Sequence, residues 1–217
     1  PALTTLYSFA GYPGDGIQPP GPLAFDKRGA LYGTTRGGGA HGGGTVFKLT
    51  PPADPSAPWT ERTLYSFTGG QDGAYPATGV IFDKDGNLYG TAWHGGIGAA
   101  DCAGGCGAVF QGIPPADPDG PWTGRLLHTF TGTPDGGNPD GLVLDDSTGI
   151  IYGTTSYGGP PNNAICGRYC GTVFKLTPPA TAGAPWAYRV VWQFTGGADG
   201  GNPQIDARLV IDASVSY

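Results

Sequence analysis

Apolar residues return along this chain in short alternating bursts, each closed by a turn signal, and the bursts themselves recur. The clearest set lies between residues 79 and 130. Alternation over four to eight residues, bounded by Gly, Pro and Asp, marks half-buried strands. Residues 79–83 (GVIFD) read as a first strand and 87–92 (NLYGTA) as a second. The turn Lys84-Asp85-Gly86 joins them, with Gly free to adopt a left-handed conformation. Residues 107–113 (GAVFQGI) and 123–130 (TGRLLHTF) read as third and fourth strands, separated by the proline-rich link 114–122. No stretch carries a helical stripe.

The set repeats. LYSFAGYPGDG opens at Leu6, LYSFTGGQDG at Leu64, LHTFTGTPDG at Leu127 and VWQFTGGADG at Val191, about 60 residues apart. The units are 6–63, 64–126, 127–190 and a partial 191–217. Four short antiparallel strands per unit, without helices, predict an all-β fold: a β-propeller of four-stranded blades, three complete repeats with partial terminal units. A β-sandwich would not need near-copies at one period. A β-solenoid has shorter rungs and no hairpin in every repeat. Residues 3–9 look like a fourth strand without its blade, and 207–217 like a first strand and the start of a second. The expectation is therefore a section of a larger propeller, whose exposed blade edges could be covered by a second copy.

The hairpins AFDKRGALYGT (24–34), IFDKDGNLYGT (81–91) and LDDSTGIIYGT (144–154) resemble those of NHL-type and gluconolactonase-like propellers. The longer unit, YSFTGG-x-DG through D-x-x-G-N-L-YGTT to GTVFKL, resembles the bacterial GloVer tandem-repeat family and covers nearly the whole chain. That resemblance implies a secreted or surface-anchored protein, and no settled activity. The metal site of gluconolactonase-like proteins has no matching Glu-Asn-Asp set here, and Glu61 is the sole glutamate.

Composition narrows the partners. Only 13% of residues are charged and the net charge is −6, so no basic surface exists for nucleic acid. No apolar run approaches a membrane span. Gly at 42 and Pro at 22 of 217 residues would suggest low complexity, but the apolar positions return in register with the turns. Cys102/Cys106 and Cys166/Cys170 occupy equivalent loops of the second and third repeats, and the shorter loop of the first repeat has none. A pair that appears with a loop insertion reads as a local disulfide staple, which persists in oxidising compartments. Zinc is the rival, although the three-residue spacing departs from the usual knuckle.

The strand-four-to-one loops and the strand-two-to-three loops fall on one rim. That rim collects Asp15, Asp72, Asp135 and Asp199 with His41, Trp93, His94 and Tyr157. A recurring Asp-Gly reads first as a loop-holding Asx turn. A binding role would engage Ca²⁺ or a sugar hydroxyl, although the D-K-D-G-N stretch lacks the twelfth-position acid of an EF-hand. The repeated aromatics Tyr32, Tyr89, Tyr152, Trp59, Trp122, Trp186, Phe47, Phe110 and Phe174 read as packing. Trp93, His94 and Tyr157 do not recur, which makes them with Asp72 and Asp135 the candidate glycan contacts. The leading functional expectation is an extracellular module for surface assembly, adhesion or carbohydrate binding. The alternative is a polysaccharide or lactone hydrolase or lyase using Asp72, Asp135 and His94, which requires two acids close enough for their pKa values to separate.

Overall fold

The computed structural model describes residues 3–96, 102, 104–118, 120–159, 166, 169–181, 183–203 and 209–211. Its longer strands form three antiparallel meanders in sequence order, and Gly16–Ile17 pairs with Gly37–Gly38 as a separate two-stranded sheet. The first sheet runs Ala24–Phe25, Leu31–Thr35, Thr45–Thr50, Thr60–Ser66. In the second, Ala74–Pro76 and Ile81–Phe82 both pair with Leu88–His94, followed by Ala108–Ile113 and Thr123–Thr129. The third runs Gly137–Leu144, Ile151–Tyr157, Thr172–Thr177, Ala187–Gln193. The expected second, third and fourth strands of the middle repeat are all present. Its first strand is shorter than expected, because the preceding loop also pairs at Ala74–Pro76.

Each sheet is organised by one cross-strand pair. Gly33 faces Phe47, Gly90 faces Phe110 and Gly153 faces Phe174. The Phe ring lies across its glycine: a methyl group on Gly90 would sit 2.4 Å from the Phe110 ring. A second Phe then packs edge-on from the segment leading into the sheet, Phe67 and Phe130 each directly following the last strand of the sheet before. Phe9 meets Phe47 at 4.9 Å, Phe67 meets Phe110 at 5.2 Å and Phe130 meets Phe174 at 5.3 Å. Around these contacts one core forms between the first and second sheets and another between the second and third. Tyr32 with Trp122, and Tyr89 with Trp186, extend them. Polar ties follow the same step. Arg62 donates to the Gly120 carbonyl at 2.8 Å, and Arg125 to that of Ala184 at 2.7 Å.

The β-propeller expectation is corrected here. The first of these sheets packs on the second and the second on the third, and among the described residues none closes into a barrel or ring. Closure would require the outer faces of the first and third sheets to bury one another. Tyr7 and Phe9 instead cover Leu31, Phe47 and Leu49 of the first sheet. On the third, Val191 and Trp192 stay 50% and 53% exposed. The Asp-x-x-Gly hairpins do form at Asp26–Gly29 and Asp83–Gly86, without a closed architecture around them. Residues 3–9, expected as a strand, join no sheet, and Tyr7 and Phe9 alone of them pack on the first sheet's core. The expected first strand and start of a second in the final partial unit, 207–217, lie mostly outside the described residues.

Gly90→Ala is expected to lower unfolding stability by about 1–3 kcal/mol, the usual range for overpacking a filled core. Urea unfolding of the variant beside wild type measures this.

Candidate functional site

The candidate rim is assembled where the loop after one sheet's second strand meets the loop that opens the next repeat. The contact is a backbone hydrogen bond: Tyr75 N to Gly43 O at 2.8 Å, Asn138 N to Cys106 O at 2.7 Å, Asn202 N to Cys170 O at 2.6 Å. All three donors precede a proline and have positive φ, at 53°, 51° and 50°. Such a conformation is costly for most residues and mild for Asn. It was not foreseen in the sequence, although Asn-Pro at two of the three positions is its trace.

Both expected disulfides are formed, Cys102–Cys106 and Cys166–Cys170. Each lies against the first glycine after the next Asp-Gly turn. A methyl group on Gly137 would stand 3.3 Å from Cys102 Sγ, and one on Gly201 3.0 Å from Cys166 Sγ. Each disulfide therefore shapes its own loop and fills the seam with the next repeat. Bonded sulfurs offer no thiolate ligands, which disfavours the zinc alternative. Among the described residues, no three His, Cys, Asp or Glu side chains are grouped to hold a metal ion.

The repeated aspartates are engaged by their own loops. Asp72 accepts from Tyr65 Oη at 2.9 Å, from Thr68 N at 2.8 Å and from the Thr68 hydroxyl. Burial opposes ionisation of Asp72, but the bonds from Thr68 and Tyr65 hold its carboxyl below the usual range. Burial, with the bond to Asp72, pushes the Tyr65 phenol up to about 12. Asp135 binds His128 Nε2 at 3.2 Å and accepts from Thr131 N at 3.0 Å and Thr131 Oγ1 at 2.8 Å. Asp15 receives Tyr7 and Ala10, and Asp199 receives Thr195. The hairpin aspartates do the same: Asp83 accepts from the Asp85 and Asn87 amides at 2.9 Å and from Tyr89 Oη at 2.8 Å.

The non-recurring aromatics sit at neighbouring strand ends. Trp93 and His94 close Leu88–His94, with ring centroids 5.3 Å apart, and Tyr75 meets the His94 ring at 5.8 Å. The Arg36 guanidinium lies 5.2 Å from the centre of the Trp93 ring, a cation–π distance. Asn138 Nδ2 donates to the Trp93 carbonyl at 2.9 Å, and the adjacent Gly137 pairs with Tyr157. Tyr157 stacks obliquely on Tyr169 at 4.5 Å. Trp93, His94 and Tyr157 thus share one seam of the rim, built around Asn138. His94 has its ring contacts with Tyr75 and Trp93, while Asp72 and Asp135 are bonded within separate loops.

One ionisable residue escaped the sequence reading. Asp140 lies in the strand Gly137–Leu144 and is 0% exposed. Neither of its carboxyl oxygens has a hydrogen-bond partner among the described residues, and burial pushes its pKa up to about 7. In the chain it stands beside a repeat consensus of small residues, where a carboxylate would ordinarily read as exposed.

The family model described as Gloeobacter/Verrucomicrobia repeat matches residues 1–115. No curated protein and no solved structure matches the chain.

Two outcomes follow from this geometry. Replacing both Cys102 and Cys106 by Ser opens a ring of very few residues, so loop-closure entropy sets the loss at about 2 kcal/mol. For a chain of this size that lowers the melting temperature by roughly 4–8 °C, which calorimetry reads. Asp140 gives a pH signature. Its folded pKa is raised, so the folded state binds more protons than the unfolded state between the ordinary carboxylate range and about 7, and stability falls as pH rises through that window. Asp140→Asn removes this fall. Its stability gain is therefore expected to be larger by on the order of 1–4 kcal/mol above that window than below it, as denaturant titrations across pH would show.

Proposed function

Because this chain belongs to the Gloeobacter/Verrucomicrobia repeat family, we propose that it serves as an extracellular tandem-repeat module with a structural and adhesive role, carrying glycan contacts on its disulfide-shaped rim. The observation that carries this reading is the way each unit is committed to the next. Aromatic pairs run from the end of one sheet to the next, and arginine ties and rim hydrogen bonds run from repeat to repeat. Such a chain grows by addition of equivalent units, as repeat proteins do. The two disulfides support an oxidising compartment outside the cytoplasm. Among the described residues no helix is long and apolar enough to cross a membrane.

The rim supplies the adhesive chemistry. Trp93, His94 and Tyr157 offer ring surface for the C–H faces of a sugar, with Arg36 beside them for its hydroxyls. Asp72 and Asp135 hold the adjoining loops in place through Tyr65, Thr68, His128 and Thr131, so their part in recognition is to fix the shape of the seam.

A glycan array on the purified protein, with light scattering for self-association, tests the proposal. Trp93→Ala is expected to weaken captured glycan about tenfold or more, equivalent to losing one stacked ring, while leaving the melting temperature near wild type. A protein that binds no glycan, does not self-associate and does not adhere to cells displaying it would refute the reading.

A further inference from the structure

The three repeats differ at one position pair inside the sheet interfaces. The third and fourth strands of each sheet place two residues opposite one another: Leu49 and Glu61 in the first, Gly112 and Gly124 in the second, Leu176 and Tyr188 in the third. The residue after the second member is arginine each time, Arg62, Arg125 and Arg189, which fixes the equivalence. In the interface between the second and third sheets, Leu176 and Tyr188 fill the space. Tyr188 lies flat on His128, with centroids 3.8 Å apart and planes 4° from parallel, and its hydroxyl donates to the Asp135 carbonyl.

The interface between the first and second sheets has no side chain at either position. There a cavity of about 160 Å³ opens between Tyr65 and Gly124. Tyr65 is the counterpart of His128, and Asp72 of Asp135; both line the cavity, as do Leu64, Phe67 and Trp122. Leu88 leans over Gly112 and takes up part of the space on that side. Over Gly124 the nearest atom of the facing repeat is the Tyr65 ring edge, 3.3 Å from where a Cβ would stand. An apolar cavity of roughly 150 Å³ is large enough to take up benzene.

We propose that this cavity is a binding site for a p-hydroxyphenyl group. The ring stacks on Tyr65 as Tyr188 stacks on His128, and the phenolic hydroxyl donates to the backbone carbonyl of Asp72 as that of Tyr188 does to Asp135. The molecule itself thus displays, one interface further on, the group that fits. The site is separate from the Trp93 seam and stands whether or not the rim binds glycan.

The test uses p-cresol, with toluene as the ring lacking the hydroxyl and N-acetyltyrosinamide as the same phenol carried by an amino acid. In methyl-labelled wild-type protein, p-cresol is expected to shift the resonances of Val46, Leu64 and Leu88, which line the cavity, and to bind about tenfold more tightly than toluene. Binding of N-acetyltyrosinamide identifies a tyrosine side chain as the natural source, and its exclusion identifies a free phenol. Gly124→Tyr places the chain's own phenol in the cavity. Gly124 has no positive φ to forbid a side chain, and the variant is expected to melt higher than wild type and to lose p-cresol binding at least tenfold. Absence of shifts at these methyls in wild type, or undiminished p-cresol binding by folded Gly124→Tyr, overturns the proposal. The wild-type measurement decides the question even if the variant does not fold.

Discussion

A phenylalanine ring laid across a glycine on the neighbouring strand, and touched edge-on by a phenylalanine from the segment leading into that sheet, is the contact on which this structure rests. It occurs as Gly33–Phe47–Phe9, Gly90–Phe110–Phe67 and Gly153–Phe174–Phe130. Phe47, Phe67, Phe130 and Phe174 are among the most deeply buried side chains of the chain. Burying each contributes on the order of 1.5–3 kcal/mol, with a further increment for the edge-on geometry. The glycine gives the ring its place, and the ring shields a glycine that would otherwise weaken the strand. Because the outer ring in the second and third sets comes from the end of the preceding sheet, the same contact that stabilises a sheet also orders it against its neighbour. That makes the stability of one unit depend on the next, the nearest-neighbour logic of repeat proteins.

The rim loops depend on this spacing. Once consecutive sheets are set by their aromatic contacts, the loops must meet backbone to backbone. Gly73 has room for its neighbours only without a side chain, since a Cβ there would stand 2.5 Å from the Ala92 methyl. The Asp of the Asp-Gly pair then folds the loop back on its own strand. The pair beneath the glycine changes in concert: Thr35 opposite Thr45 and Thr155 opposite Thr172 share hydroxyl hydrogen bonds, while Ala92 opposite Ala108 needs none. A single Thr at either alanine position would leave a buried hydroxyl to satisfy.

Much of this was legible in the chain. Strand alternation, the Asp-x-x-Gly hairpins and the repeat period locate the strands, because each depends on residues close in sequence. The paired cysteines announce their disulfides for the same reason: the partners are only a loop apart. What escaped depends on how units sit against one another. The expected ring failed because closure is decided by the outer faces of the terminal sheets, where Tyr7 and Phe9 cover one and Trp192 remains exposed on the other, and no local pattern encodes that. The candidate residues Trp93, His94 and Tyr157 could be placed on one rim from strand direction alone. That Asn138 joins them, or that Tyr75 takes a left-handed conformation, is a property of the seam between repeats. Asp140 was missed because its burial arises from the folded packing and not from its neighbours in the chain.

Tandem repetition also changes what counts as informative. A residue kept in every unit answers a demand that every unit shares, which here is packing or loop closure. Asp72 illustrates this: it looks like half of an acid pair, yet its partners Tyr65 and Thr68 recur in kind as His128 and Thr131 around Asp135. The informative positions are those where one unit breaks the pattern and the fold tolerates the break. Gly112 and Gly124 are such a pair, because both members change together where the other repeats carry Leu49 with Glu61 and Leu176 with Tyr188. Losing two side chains from a packed interface costs burial and leaves cavity surface, several kcal/mol by the usual measure of core truncation. A sheet interface that keeps its aromatic contact between Phe67 and Phe110 can bear that loss, and the space opened lies against a Tyr65 ring whose hydroxyl is already bound to Asp72. Leu88 gives a packing reason for Gly112, so it is Gly124, facing the Tyr65 ring, for which the proposed ligand supplies the missing group.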